Sequence, residues 1–196
     1  MIAAEHTILV LLAAGKSARF EGHRSKLDEP LDGVPLGLHA AQTLASVPFR
    51  RRVAIVSRCR IDYTAHGFHT VENDDSVGDM ASSLRLGVAD AQKHDAAAIL
   101  VALADMPRVT AAHVRRLLDT AQGPDAVVAS TSPNAPPRPP AVFGRHLFAP
   151  LLSLTGDHGA RDLIRTAGHV EAPASELVDI DTRDDLGALQ PSSSRT

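Results

Sequence analysis

Asp105 closes an apolar run, Leu103-Ala104-Asp105-Met106-Pro107, and Pro107 stops that run from continuing regularly. A carboxylate at the end of an apolar strand is a hard oxygen ligand. It suits Mg²⁺, which takes one or two carboxylates together with phosphate oxygens and waters. The plainer alternative is that Asp105 caps the following turn. Acids also cluster in Val178-Asp179-Ile180-Asp181-Thr182, before Arg183-Asp184-Asp185-Leu186. Strand alternation would place Asp179 and Asp181 on one face, so that one of them can reach the same ion. Asp181 or Thr182 can equally cap a final helix beginning near Asp184.

A phosphate partner for such an ion has two candidate cradles. The first is Leu12-Ala13-Ala14-Gly15-Lys16-Ser17-Ala18-Arg19-Phe20, with Lys26 a few residues on. Small residues let backbone N–H groups approach a triphosphate, and Lys and Arg compensate its charge. The segment lacks the second glycine of a Walker loop and the three glycines of a dinucleotide fingerprint. A tight turn with solvated charges is the competing reading. The second cradle is Gly156-Asp157-His158-Gly159-Ala160-Arg161, where two glycines precede an expected helix over 160–166. Free N–H groups there could face an anion and Arg161 could add a bidentate contact; a simple turn between helices competes.

These loops need a frame that brings them to one edge. Thr7–Ala13, Val53–Ser57 and Ala97–Ala104 are continuous apolar runs, as expected of parallel strands covered on both faces, and Ala126–Ser130 follows a Gly-Pro-Asp turn. Helical patterns fill the gaps: Pro35–Ala45 after a turn at Gly33, Ala81–Lys93 with Leu84, Val88 and Ala91 on one face, and Ala111–Ala121 capped by Thr110. The alternation predicts an α/β sandwich with a mostly parallel sheet, whose ligands bind beyond the carboxyl ends of the strands. Pro133–Pro140 is expected as an extended surface loop, 1–189 as one domain, and 190–196 as a disordered tail.

Composition narrows the function classes. The chain has 196 residues, 44% hydrophobic, and a net charge of -3. That balance disfavours a nucleic-acid binder, and 3% aromatics leave little for base stacking. The single cysteine, Cys59, excludes an internal disulfide. The short run Ile8–Ala14 cannot span a bilayer. A soluble cytoplasmic protein with no membrane partner is expected. The ten histidines show no metal-site spacing, and Ser82-Ser83 lacks the glycines of a nucleophile elbow. Arg50–Arg52, Arg58 and Arg60 bracket a strand and read as a solvated strand end.

Taken in order, the motifs resemble the MobA-like nucleotidyltransferases, particularly the molybdenum cofactor cytidylyltransferases. That family carries LAAGxSxRFG…K, NxxxxxGMxxSLxxG, LADMP, PAxF, GDxGAR and DIDTxxDL. The matching stretches are Leu12–Phe20 with Lys26, Asn73 to Gly87, Leu103–Pro107, Pro140–Phe143, Gly156–Arg161 and Asp179–Leu186. The chain departs from the pattern by extra residues before Lys26, where Arg24 offers an alternative cation, by Asp79 between Gly78 and Met80, and by Arg183 at the usual proline.

The resemblance implies a three-layer α/β/α nucleotide-diphospho-sugar transferase (Rossmann-like) fold. It implies Leu12, Ala13, Ala14, Gly15, Lys16 and Ser17 around the nucleotide, Asn73, Ser82 and Ser83 near base and ribose, and Lys26 and Arg19 on phosphates. Asp105 and Asp181 would bind Mg²⁺, while Gly156, Asp157, Gly159 and Arg161 would face the acceptor. Ala14, in the LAAG form, favours CTP over GTP. The implied reaction transfers CMP from CTP to the phosphate of molybdopterin and releases pyrophosphate, with possible docking to a molybdenum hydroxylase. Another phosphorylated acceptor, GTP, or a non-catalytic cofactor-insertion chaperone are the alternative expectations.

Overall fold

The protein is described by a computed structural model covering residues 1–15, 20, 25–75, 79–156 and 160–190. The strands are β1 Thr7–Ala13, β2 Pro30–Leu31, β3 Val34–Pro35, β4 Arg51–Val56, β5 His69–Glu72, β6 Ala98–Leu103, β7 Val127–Thr131, β8 Arg138–Gly144 and β9 Gly168–Glu171. The α-helices are α1 Leu36–Ala45, α2 Met80–Lys93, α3 Ala111–Thr120, α4 Phe148–Leu152, α5 Arg161–Arg165 and α6 Arg183–Leu189. Seven strands form one sheet in the order β5-β4-β1-β6-β8-β7-β9, parallel except for β8, which runs against both neighbours. The other two strands pair as a hairpin through Asp32 and Gly33, both at positive φ, just before α1.

Alternation along the central strands feeds two cores. Leu9, Leu11, Leu100 and Ala102 face α1 and α3, whose Leu44, Val114 and Leu117 complete one layer. Ile8, Val10, Ile55, Ile99 and Val101 face α2, α4 and α5, with Leu84, Val88, Leu151 and Ile164. Coverage on both faces is why these strands read as unbroken apolar runs, and the result is a three-layer α/β/α sandwich. Truncating a single such leucine would cost about 2–5 kcal/mol. Helix α2 lies close against β1 because Gly87 has no side chain; a Cβ there would overlap Val10.

Two expectations are corrected. The stretch 133–140 is only partly a loop, because from Arg138 onward the chain is β8, with Pro140 buried in the sheet. Prolines are tolerated at the start of a strand, and Ala141-Val142-Phe143 supply the β-forming side chains beyond them. Residues 179–181 do not form a strand. They run extended across the end of β6, pinned where the Ile180 amide donates to the Asp105 carbonyl at 3.0 Å. Residues 191–196 of the expected tail lie outside the described residues. Among the described residues no helix is long and apolar enough to cross a membrane.

Candidate functional site

Strand order changes direction at β1: β4 and β5 extend to one side, and β6 lies on the other. The crevice beyond the carboxyl ends of β1 and β6 is where open α/β sheets place ligands. The Ala104 amide donates to the Leu12 carbonyl at 3.0 Å, so Ala13–Gly15 and Asp105 leave the sheet side by side. Ala13 and Ala14 are buried, and Gly15 is exposed with open space where a side chain would stand.

Lys26 approaches this edge on a short 3₁₀ turn, Lys26–Asp28, started by Ser25, whose hydroxyl accepts from the Leu27 amide at 3.3 Å. Leu27 anchors the turn in the core, and Lys26 itself is buried. Its Nζ lies 2.7 Å from Asp105 Oδ2 and 3.1 Å from Asp181 Oδ1. Burial opposes the ammonium charge, but the two carboxylates outweigh it and hold Lys26 above its ordinary value. Burial pushes the Asp105 carboxyl above the usual carboxylate range; Lys26 pulls it back, and Asp179 and Asp181 add to the rise. Asp105 Oδ1 is enclosed and has no hydrogen-bond partner among the described residues.

Asp181 is held in place by α6. Thr182 accepts from the Asp185 amide, and Asp185 Oδ2 accepts from the amides of Asp181 at 3.1 Å and Thr182 at 2.8 Å, a reciprocal cap. Leu186 and Leu189 then pack on Phe20, Leu31, Leu36 and Ile180. Arg183 sits over the Phe20 ring, 5.0 Å from its centroid, and so joins α6 to Phe20. Asp179 pairs with Arg138 at 3.1 Å, and Arg138 also donates to the Leu177 carbonyl at 3.4 Å. Asp105 and Asp181 thus both meet Lys26, while Asp179 meets Arg138.

The crevice opens into a cleft of about 640 Å³. Asp105, Asp179 and Asp181 line it together with Leu12, Arg138 and Arg161. Its apolar lining comes from Met80, Met106, Phe143 and the prolines 136, 137 and 139.

The remaining expected residues are grouped at the start of α2. Asn73 follows β5 and donates through Nδ2 to Ser82 Oγ at 2.9 Å and Ser83 Oγ at 2.8 Å. Its Oδ1 accepts from the Asp75 amide at 3.1 Å. Ser82 and Ser83 lie in the first turn of the helix rather than in a turn before it, and all three side chains are buried. They shape the chain between β5 and α2 through contacts with one another. Gly156 is tied to the same helix start by Asp79. Lys16, Ser17, Arg19, Arg24, Asp157 and Gly159 lie outside the described residues. Arg138 is the cleft residue that motif reading passed over. Its signal was a lone cation inside a proline stretch immediately before an apolar Ala-Val-Phe run.

Residues 9–172 match the MobA-like NTP transferase domain. The chain belongs to that family. It is 31% identical to the purine catabolism protein PucB of Bacillus subtilis, over 94% of this chain and 96% of that one. A nucleotidyl transferase from Methanothermobacter (Mth528) superposes with a TM-score of 0.76 at 21% identity, covering 94% of this chain and 95% of that one. Rv0371c of Mycobacterium tuberculosis superposes with a TM-score of 0.74 at 23% identity, covering 93% and 97%. A further structure of Rv0371c is a complex with manganese. As a MobA-like nucleotidyltransferase, this protein is an enzyme of the transferase type and takes an NTP as substrate.

Proposed function

We propose that the protein transfers CMP from CTP to the phosphate of molybdopterin, or its metal-loaded form, and releases pyrophosphate. The observation that carries this reading is the enclosed, unpartnered Oδ1 of Asp105 beside Lys26 and Asp181 at the switch point of the sheet. A buried carboxylate oxygen without a donor favours a cation, and Asp181 supplies a second oxygen. Among the described residues no three His, Cys, Asp or Glu side chains gather to hold an ion alone. That fits Mg²⁺ or Mn²⁺, held by Asp105 and Asp181 with the substrate's own phosphates. The manganese complex of Rv0371c agrees with this choice of ion. Such an ion supplies positive charge to the α-phosphate oxygens.

The acceptor's phosphate oxygen attacks the α-phosphorus of CTP in line; the new P–O bond forms as the bond to the β-phosphate breaks, and pyrophosphate leaves. An ionised phosphate needs no activating base, so the protein's work is positioning and charge stabilisation. Lys26, kept cationic by its two carboxylates, meets phosphate charge at the ends of β1 and β6. Lys16 and Arg19 would act on the departing pyrophosphate, and the Ala13–Gly15 backbone would hold the nucleotide, with Ala14 favouring cytidine. Arg138 and Arg161 would receive the acceptor's negative charge while the apolar wall of the cleft takes its ring system. That combination favours a ring-bearing phosphorylated acceptor over a small sugar phosphate.

Pyrophosphate release from CTP and from GTP, with Mg²⁺ and molybdopterin supplied, tests the reading. Release with CTP alone supports it. Release with GTP alone overturns the cytidine assignment, and silence with both overturns the acceptor assignment.

A further inference from the structure

Asp79, which stands where the family motif has its glycine before Met80, makes two bonds from one carboxylate. Its Oδ1 accepts from the Ser82 amide at 2.6 Å and so caps α2, while its Oδ2 accepts from the Gly156 amide at 3.0 Å. Capping needs only one oxygen, and serine or asparagine would serve equally. The second oxygen reaches a segment 77 positions further along the chain.

Farther along α2, Arg85 spans the same two segments. Its Nη1 donates to the Leu154 carbonyl at 2.5 Å, and its Nη2 lies 4.0 Å from the Asp75 carboxylate. Asp75 is joined in turn to Asn73 through the amide-to-Oδ1 bond. The N-cap side chain of α2 and one side chain within it therefore tie the start of the helix and Asp75 to the chain before α5. The helix beneath them is a rigid support, 14 residues long and seated on β1 through Gly87.

We propose that Asp79 and Arg85 are positioning residues that couple nucleotide binding to the acceptor-side segment 154–156. The inference rests on the proposed function and on the family resemblance, which implies the nucleotide near Asn73 and the acceptor at Gly156. Nucleotide binding restrains the segment 73–75, and the two bridges pass that restraint to 154–156, so the acceptor-side segment is held more firmly once the nucleotide is in place. By linkage, an acceptor held at 154–156 tightens nucleotide binding by the same factor.

Amide hydrogen exchange of the full chain, with and without CTP and Mg²⁺, tests the coupling. CTP should slow exchange of the Leu154–Gly156 amides about five- to tenfold, the worth of one or two net hydrogen bonds. Asp79→Ser and Asp79→Asn keep the cap, so they should melt as the native protein does and bind CTP within about twofold by calorimetry. Both should lose most of the slowing, and Arg85→Met should lose part of it. Equal slowing in the two Asp79 variants would overturn the proposal. A native chain that binds CTP without any response at 154–156 also overturns it while sparing the proposed function. A native chain that binds neither CTP nor GTP overturns both.

Discussion

The sheet carries a dense group of charges at each end, and among the described residues one of them encloses a buried acceptor without a partner. At the amino edge, where β4 begins, Arg50, Arg51, Arg52, Lys93, His69 and His94 line a cleft of about 540 Å³, close in size to the 640 Å³ at the carboxyl edge. Cleft size therefore does not distinguish them; the state of the charges does. Arg51 grips both oxygens of Asp90, at 3.0 and 3.4 Å, and His94 Nδ1 lies 2.8 Å from the Asp90 carbonyl. Arg52 donates through Nη2 to the carbonyls of Ala45 and Val47 at the end of α1, and its buried Nε has no partner among the described residues. Cations gathered at helix carboxyl ends complement orphan carbonyls and the helix dipole. At the carboxyl edge Asp105, Asp179 and Asp181 meet Lys26, Arg138 and Arg161, and the buried atoms without a partner among the described residues are Arg138 Nε and an acceptor, Asp105 Oδ1. At the amino edge Arg51, Arg52 and His94 bond within their own neighbourhood, whereas the candidate site keeps a buried carboxylate oxygen in reserve.

Removing that oxygen's charge gives the largest expected effect. Asp105→Asn should lower turnover by at least about 10²–10³-fold, the order seen when one group that stabilises transition-state charge is lost. The fold should survive, because the amide can still accept from Lys26. Wild-type pyrophosphate release from a variant with a native-like melt would erase the distinction between the two ends. Lys26→Ala comes next: nucleotide affinity should fall about ten- to hundredfold, as expected when a charge-assisted phosphate contact is lost. Unchanged affinity by calorimetry would move the phosphate role to Lys16 or Arg24.

The opposite substitution tests the amino edge. Asp90→Ala strips Arg51 of both oxygens and should destabilise the protein by about 1–3 kcal/mol, the range for hydrogen bonds to charged groups. Turnover at a temperature well below the melt should stay at the native level. A variant with native stability and impaired catalysis would show that the amino edge takes part in function.

How much of this contrast the chain announces depends on the range of each interaction. The runs at Thr7, Val53 and Ala97 became β1, β4 and β6 with ends shifted by no more than two residues, because apolar continuity and sheet burial are the same physical requirement. Thr110 and Thr182 were readable as caps because capping is local. The strands β5 and β9 were not legible: four residues each, exposed, at the edges of the sheet, with no apolar run. The start of β8 was hidden by its prolines. The pairing of Lys26 with Asp181 spans 155 positions, and no spacing rule reaches that far. Those residues were brought together by family resemblance, and Asp79 shows its limit. As a departure from the motif it looked like an intrusion, yet it caps α2 and holds Gly156.

The smallest expected effect lies in a third polar group, one with no open atom at all. His113 is a buried residue of α3, with Nε2 2.7 Å from Ser130 Oγ and Nδ1 3.1 Å from Arg116 Nη2, and the Ser130 hydroxyl donates a hydrogen bond to the Pro140 carbonyl at 2.7 Å. Since Ser130 Oγ donates to that carbonyl, it accepts from Nε2–H, and Nδ1 accepts from Arg116; the ring is neutral and fully used. Burial, with Arg116 adding to it, lowers the His113 pKa, against a smaller opposing pull from Glu176. The folded protein therefore binds its proton more weakly than the unfolded chain does. Stability from this group is complete above the unfolded histidine value of about 6.5 and declines as pH falls below it, with a slope of at most one proton. Urea unfolding at pH 7.5 and pH 5.5 should show a smaller loss for His113→Gln than for the native chain. An identical loss in both would mean that His113 contributes no pH dependence, and that full pairing does not by itself make a buried histidine sensitive to acid.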